Sequence, residues 1–490
     1  MNDYITVIGG GLAGSEAAYQ IAKRGIKVKL YEMKPDHFSP AHSNPNLAEI
    51  VCSNSFKSNL HTNACGLLKE ELRLLDSLLI KVADEVSVPA GQALAVDREK
   101  FAEAITRRLE QVENVEIIRK EIGKTANKIE KNDHTNKNNY MEEEQISLQR
   151  LAQDGIVIIA TGPLTSENLS NEISEMIHQE KLHFYDAAAP IIEKDSINMN
   201  IAFKGNRYDQ ERELDEDISD WKKRIRSQDA SYINLPINKE EYETFWNELV
   251  NAEVVELHEF EKREIFEGCM PIEVMAKRGI DTLRFGPLKP VGFTDPRTGK
   301  RPYAVVQLRQ DNGQGSIFNM VGFQTNLKFG EQKRVFRMIP GLESADFVKY
   351  GVMHRNTFIN SPELLDETYQ MKSKPNIYFA GQITGVEGYV ESIASGLVAG
   401  INAVEQFKGI DTKENGEKEN LYKKVIFPEE TMIGALAKYI TTPNEKFQPM
   451  NANFGILPEL DEKIRDKKLK YGKLSDRALE KLNSQNIAKI

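Results

Sequence analysis

Residues 4–32 read "YITVIGGGLAGSEAAYQIAKRGIKVKLYE", and this stretch decides the fold. "YITVIG" is apolar and β-branched, "GGLAGSEAAYQIAKRG" is an Ala-rich helical pattern, and "KVKLYE" is a second strand pattern, so the order is βαβ. Gly9, Gly11 and Gly14 stand in it at G-x-G-x-x-G spacing, with Gly10, Leu12 and Ala13 between them. Glu32 closes the second strand 18 positions beyond Gly14. In such a unit Gly9 makes the tight turn, Gly11 lets the backbone approach a pyrophosphate, and Gly14 lets helix and strand pack closely. The pyrophosphate is expected at the N-terminal end of a helix over 12–24, where free N–H groups and the helix dipole favour an anion. Glu32 is expected to accept from a ribose 2′-hydroxyl.

Two later segments favour FAD over NAD as the dinucleotide. "DGIVIIATGPLTS" (154–166) is a buried strand pattern ending in Ala160-Thr161-Gly162. "KPNIYFAGQITGVEGYVESIASGLVAGINAV" (374–404) gives a strand, a turn with Gly381, Gln382, Gly385 and Gly388, and a helix of small residues. Together with the N-terminal unit they resemble the closing segments of flavoproteins of the glutathione reductase class. One departure is Gln382, which stands where those proteins usually carry Asp. The expected fold class is α/β: a discontinuous Rossmann-like FAD-binding domain with an inserted α+β substrate domain. The expected spans are 1–165 and 335–407 for the nucleotide domain, 166–334 for the inserted substrate or RNA domain, and 408–490 for a C-terminal segment with a basic tail.

Bulk properties bound the function. The chain of 490 residues is 40% hydrophobic and 28% charged, and no apolar run approaches the ~20 residues of a membrane helix. Its N-terminus runs straight into a strand pattern, unlike a signal peptide, so a cytoplasmic location is expected. Its formal charge of −10 taken alone argues against a nucleic-acid partner. Local patches reverse that balance: seven Lys or Arg fall between Lys277 and Arg301, and over 463–490 nine Lys or Arg face three acids. Basic patches that share a face can bind RNA; a solvated charged helix is the plainer alternative for the tail. Two Lys/Asn/Glu-rich stretches, 123–145 and 408–424, read as mobile surface loops.

The three cysteines, Cys52, Cys65 and Cys269, form no C-x-x-C pair and match no structural zinc spacing, so no metal site is expected. Cys269, in "FEGCMPIE", precedes the basic cluster, and nearby positive charge raises the thiolate fraction of a thiol. Cys52 ends an apolar run and is followed by Ser53, Asn54, Ser55 and Lys57, whose donors can act in the same way. Cys65 lacks such company and is expected to be structural.

"VIGGGLAGSEAAYQIAKRGIKVKLYEMKP", "AEIVCSNSFKS", "VPAGQALAVDREKF", "FEGCMPIEVMAKRG" and "AGQITGVEGYVESIASG" in this order closely resemble the TrmFO family, the folate- and FAD-dependent tRNA (uracil-5-)-methyltransferases. The two low-complexity inserts and the length of the basic tail depart from the family's compact pattern. The resemblance implies FAD, NADH or NADPH as reductant, 5,10-methylenetetrahydrofolate as carbon donor, and the T-arm of tRNA as the RNA partner. It implies Cys269 as the nucleophile that adds to C6 of a T-loop uracil, and Cys52 as the flavin-side residue that assists removal of the C5 proton. Elementary chemistry agrees, since C5 of uracil becomes nucleophilic only after a thiolate adds at C6, and its proton must then go to a base. Two alternatives stay open: the same chemistry on a ribosomal RNA uridine, and a GidA-like wobble-uridine modification flavoprotein.

Overall fold

The computed structural model describes residues 2–123, 146–178, 182–207, 217, 232–255, 270–412, 418–420, 422–444 and 447–485. Five short strands make the first sheet: three are almost wholly buried, as parallel strands covered on both faces are, Lys27–Glu32 is exposed at its start, and Val115–Arg119 holds no fully buried residue. Their spatial order is Ile377–Phe379, Val157–Ile159, Tyr4–Ile8, Lys27–Glu32, Val115–Arg119, and every neighbouring pair is parallel. The chain builds outward from Tyr4–Ile8 on one side and then returns to build on the other. The strand order therefore reverses beside Tyr4–Ile8, and in open α/β sheets ligands bind at the carboxyl ends of strands around such a reversal. Gly9, Ala160-Thr161-Gly162 and Gly381 follow directly from three of these strand ends, so the three glycine-bearing turns share one edge.

The helix Leu12–Lys23 lies along the 20-residue helix Tyr389–Lys408. Small residues permit this: a Cβ on Gly396 would stand 2.2 Å from the Ala13 carbonyl oxygen, and one on Gly400 3.0 Å from that of Ala17. The helices Ala64–Leu74 and Met432–Thr441 complete this first core. The basic tail also docks on it. The helix Lys467–Ser484 buries Leu474, Ala478 and Leu482, and Ser475 Oγ donates to the His61 carbonyl at 2.5 Å, leaving its Lys-rich side outward.

A second, antiparallel sheet of six strands runs Phe203–Lys204, Tyr232–Ile237, Ala304–Gln310, Ile317–Met320, Ile191–Glu193, Phe347–Lys349. The Trp-bearing segment forms the helix Lys239–Asn251, opened by a capping box between Asn238 and Glu241. It packs with the helix Phe329–Phe336 into a separate core. Leu169, Ile173 and Ile177 belong to the first core, whereas Val335, Phe336, Ile339 and Leu342 belong to the second. The chain passes between the cores through an antiparallel ribbon, Leu182–Ala187 against Met353–Phe358. We therefore place both crossings in this ribbon, later in the chain than the expected boundaries at 165/166 and 334/335. Residues 124–145 of the first Lys/Asn/Glu-rich stretch, and 413–417 and 421 of the second, lie outside the described residues. Among the described residues no helix is long and apolar enough to cross a membrane.

Candidate active site

The shared edge of the first sheet opens into a cleft of about 1110 Å³ including its mouth. Gly9, Gly11, Leu12, Ala13, Glu32, Gly162, Gly381 and Gln382 all line it, so residues far apart in the chain meet at one cleft. Gly14 and Gly10 act from behind the wall. A Cβ on Gly14 would come within 1.8 Å of the Gly9 carbonyl oxygen, and Gly9 itself has φ +100°. At Gly11 the opposite holds: a Cβ there meets no atom within 4 Å, so space stands open before the helix Leu12–Lys23, whose N-terminus carries no side-chain cap.

A second helix, Tyr389–Lys408, also presents an uncapped N-terminus beside the cleft, with Gly388 as its N-cap and Tyr389 and Ser392 in the lining. Two helix N-termini leave unpaired N–H groups at a wall with a Gly-lined opening, which fits the phosphates and ribityl chain of a flavin dinucleotide. Glu32 is buried, and its carboxylate already accepts from two backbone N–H groups, Gly10 at 2.8 Å and Lys34 at 3.0 Å. It thus fixes the turn as well as facing the cleft. The Gln382 amide does not stand free either: it donates to Glu387 at 2.5 Å, which fills the place of the usual Asp with a paired amide.

Cys52 lies beside the cleft, between the lining residues Val51 and Tyr389. The Tyr389 hydroxyl accepts from the N–H groups of Cys52 (2.9 Å) and Ser53 (3.1 Å), and Cys52 Sγ donates to the Ala187 carbonyl at 3.7 Å. Burial, and then the charge of Cys52, push the Tyr389 hydroxyl well above its usual range, so it stays a neutral phenol. Two members of the adjacent polar run also hold partners away from the thiol. Lys57 pairs with Glu391, and Asn54 is buried with its amide on the Val96 and Gln310 carbonyls. Positive charge reaches the thiol from Arg98, Arg309 and Lys349, and each of these cations has its charged form favoured by Cys52. That attraction is mutual, so the three cations stabilise negative charge on the sulfur.

Arg98 reaches across from the first core to Asp311 of the inserted sheet (2.8 and 3.2 Å) and also donates to the Ile50 and Val51 carbonyls just before Cys52. Burial opposes its charge, yet Asp311 holds its guanidinium above the usual value; Lys349, by contrast, is lowered by burial and then by Arg98. Arg309 donates to the Asn54 side chain at 2.9 Å. None of these three cations was legible from sequence, because they come from elements distant in the chain. Tyr389 carries one usable signal, its place directly after the Gly388 turn. Cys65 is buried, and burial and the Glu391 carboxylate push its thiol up to about 12, as an inert structural thiol requires.

Cys269 lies outside the described residues. Its described flanks are anchored on one loop: the Val255 N–H donates to the Asn326 carbonyl and the Ile272 N–H to that of Gln324. From that loop a run of contacts leads to the Cys52 side. Gln332 bridges the Leu327 and Gly351 carbonyls, and the Ala188 N–H donates to Val352, next to the Ala187 carbonyl on which Cys52 Sγ rests. The lysines and arginines after Cys269 divide: Arg284 pairs with Asp281 and covers the Tyr303 ring, Arg297 pairs with Asp295, and Lys277, Lys300 and Arg301 are exposed.

Fold and cleft together define a dinucleotide-binding α/β protein of the flavoprotein class. A family model described as "Glucose inhibited division protein A" matches residues 4–411. The protein named methylenetetrahydrofolate–tRNA-(uracil-5-)-methyltransferase TrmFO from Acetivibrio thermocellus is 56% identical over 480 residues, covering 98% of each chain, and its namesake from Halalkalibacterium halodurans is 53% identical over 487 residues, covering 99% of each. The chain belongs to the TrmFO family, within the wider glucose inhibited division protein A group. Aquifex aeolicus GidA, at 16% identity and a TM-score of 0.62, covers 99% of this chain with 73% of its own length and shares the fold.

Proposed function

We propose that this protein uses 5,10-methylenetetrahydrofolate to methylate C5 of a uridine in the T-arm of tRNA, with FAD in the cleft and NADH or NADPH as reductant, in the cytoplasm. The observation that carries the reading is a thiol, Cys52, held among three cations beside a cleft whose two uncapped helix N-termini suit a flavin dinucleotide. Gly9, Gly11, Leu12, Ala13 and Gly162 would hold the phosphates and adenosine side, Glu32 the ribose, and Gly381, Gln382 and the Tyr389 turn the ribityl side. Bound there, FAD supplies the electrons that take the one-carbon unit from methylene to methyl.

The chain's own residues do the rest. Cys269 adds through sulfur to C6 of the uracil, which makes C5 a nucleophile toward the one-carbon unit. The C5 proton leaves to Cys52, and the C6–S bond then breaks as the ring's double bond is restored. Overall, methylenetetrahydrofolate, uridine, NAD(P)H and a proton give tetrahydrofolate, 5-methyluridine and NAD(P)⁺, which balances. Cations around Cys52 suit a group that must be anionic to take a proton.

The test is an incubation of the yellow holoprotein with unmodified tRNA, labelled methylenetetrahydrofolate and NAD(P)H, with the product nucleotide mapped. Label is expected at one T-loop uridine. Cys269→Ala is expected to abolish transfer while keeping its flavin absorbance; full activity in that variant removes the role given to Cys269.

A further inference from the structure

Phe329, the first residue of the helix Phe329–Phe336, is 55% exposed. Its ring stacks on Tyr350 (centroids 5.0 Å apart, planes at 19°), and Tyr350 stacks on Phe347 (5.3 Å, 16°). Phe347 in turn leans on Phe336 in the second core (6.5 Å, 43°). Three nearly parallel rings thus run outward from the core, and the last one presents its face to solvent. Packing alone gives no reason to leave the outermost ring uncovered, since burial of aromatic surface is what stabilises such a cluster.

Charge frames the exposed ring. Lys333 is exposed and lies four residues on, so it shares the helix face of Phe329. Lys328 is exposed beside it in a surface pair with Glu253, an interaction weak enough to exchange for a phosphate. Lys349, next to Tyr350, is one of the cations that act on Cys52. The position is also continuous with the candidate site. Tyr350 is followed by Gly351 and Val352, which pack on Ala188 beside the Cys52 contact, and Phe329 follows the 324–327 loop that anchors both flanks of the Cys269 segment.

We propose that the outer face of Phe329 is a stacking platform for a nucleobase adjoining the modified uridine, with Lys333 and Lys328 facing the flanking phosphates. A ring face with cations at its rim is how single-stranded nucleic acid is held: bases stack on aromatics while the backbone meets Lys and Arg. A folate ring is disfavoured because its one-carbon unit must reach the flavin cleft, whereas Phe329 is the outward end of the stack. An aliphatic protein partner is disfavoured by the charged rim. The inference rests on the RNA reading above.

The experiment compares wild-type holoprotein, Phe329→Ala and Phe329→Trp on unmodified tRNA carrying 2-aminopurine at loop positions next to the target. Phe329→Ala is expected to raise Kd and KM for tRNA roughly tenfold, to lose 2-aminopurine quenching, and to keep its flavin absorbance and Tm; Phe329→Trp is expected to keep wild-type binding. Unchanged tRNA affinity and quenching in Phe329→Ala overturn the proposal, and so does a raised KM for methylenetetrahydrofolate alone. If the wild type neither binds nor methylates tRNA, the RNA reading has failed; if it does both and Phe329→Ala equals it, only the platform falls.

Discussion

Cys52 sits on a polar loop, and three cations that act on it belong to other elements. Arg98 approaches from the helix Arg98–Glu110, Arg309 from the inserted sheet, and Lys349 from that sheet's edge. The acceptor role given to Cys52 makes a specific demand. Cys52→Ser keeps the backbone N–H that meets Tyr389 but replaces the thiol with a hydroxyl, which holds its proton far more tightly than any thiol, so the flavin should stay and release of tritium from C5-labelled tRNA should slow by about 100-fold or more. Release at the wild-type rate would leave Cys52 only a supporting contact. In sequence the thiol alone reads as incidental to a strand end, and it becomes a site candidate only together with the dinucleotide motif and the second thiol at Cys269. Lys57, the cation nearest in sequence, pairs with Glu391, while Arg98, Arg309 and Lys349 come from elements that no local reading joins to Cys52.

At the scale of elements, the readable features were those that local sequence enforces. The G-x-G-x-x-G turn and the small-residue face of Tyr389–Lys408 both follow from backbones that must touch, and a helix face that must touch another backbone has to be Gly, Ala or Ser. Less readable was a buried carboxylate that joins the apolar packing in holding the helix Met432–Thr441. Glu71 of the helix Ala64–Leu74 accepts from the N–H groups of Met432 and Ile433 at the start of the helix Met432–Thr441, at 2.7 and 2.9 Å. Burial pushes its pKa up to about 7, against the opposing effect of those two hydrogen bonds. Because the folded value lies above the unfolded 4.5, the group's contribution to stability is fully present below about pH 4.5 and is lost as pH rises through about 7. The change amounts to about 3 kcal/mol at most. Thermal melts of holoprotein at pH 5, 6.5 and 8 should therefore show the wild type losing stability relative to Glu71→Gln as pH rises. Buried Glu16 and Glu273, also raised by burial, keep part of the trend in the variant. Parallel curves for the two proteins contradict the assignment.

At the scale of the molecule, two cores face each other across a seam that no composition shift marks, because both interiors draw on the same apolar residues. The crossings hide in the ribbon Leu182–Ala187 and Met353–Phe358, whose strands read locally like any others, and this is why the expected boundaries fell short of them. Polar contacts pin the seam: Arg98 to Asp311, Arg309 to Asn54, and the Gly313 N–H to Asp97 at 2.8 Å. The first is the most consequential, with side chains 16% and 1% exposed. Removing one member of a buried ion pair strands the other charge, at a cost of about 3–5 kcal/mol. Arg98→Met and Asp311→Leu should each lower stability by that order in urea unfolding, and the double variant should lose clearly less than their sum, because neither charge is then left alone. Their activities should separate. Arg98 alone also holds the Ile50 and Val51 carbonyls, so Arg98→Met displaces the Cys52 loop and should lose methyl transfer more deeply than Asp311→Leu. Additive stability losses, or equal activity losses in the two single variants, would show that the seam does not position the thiol through Arg98.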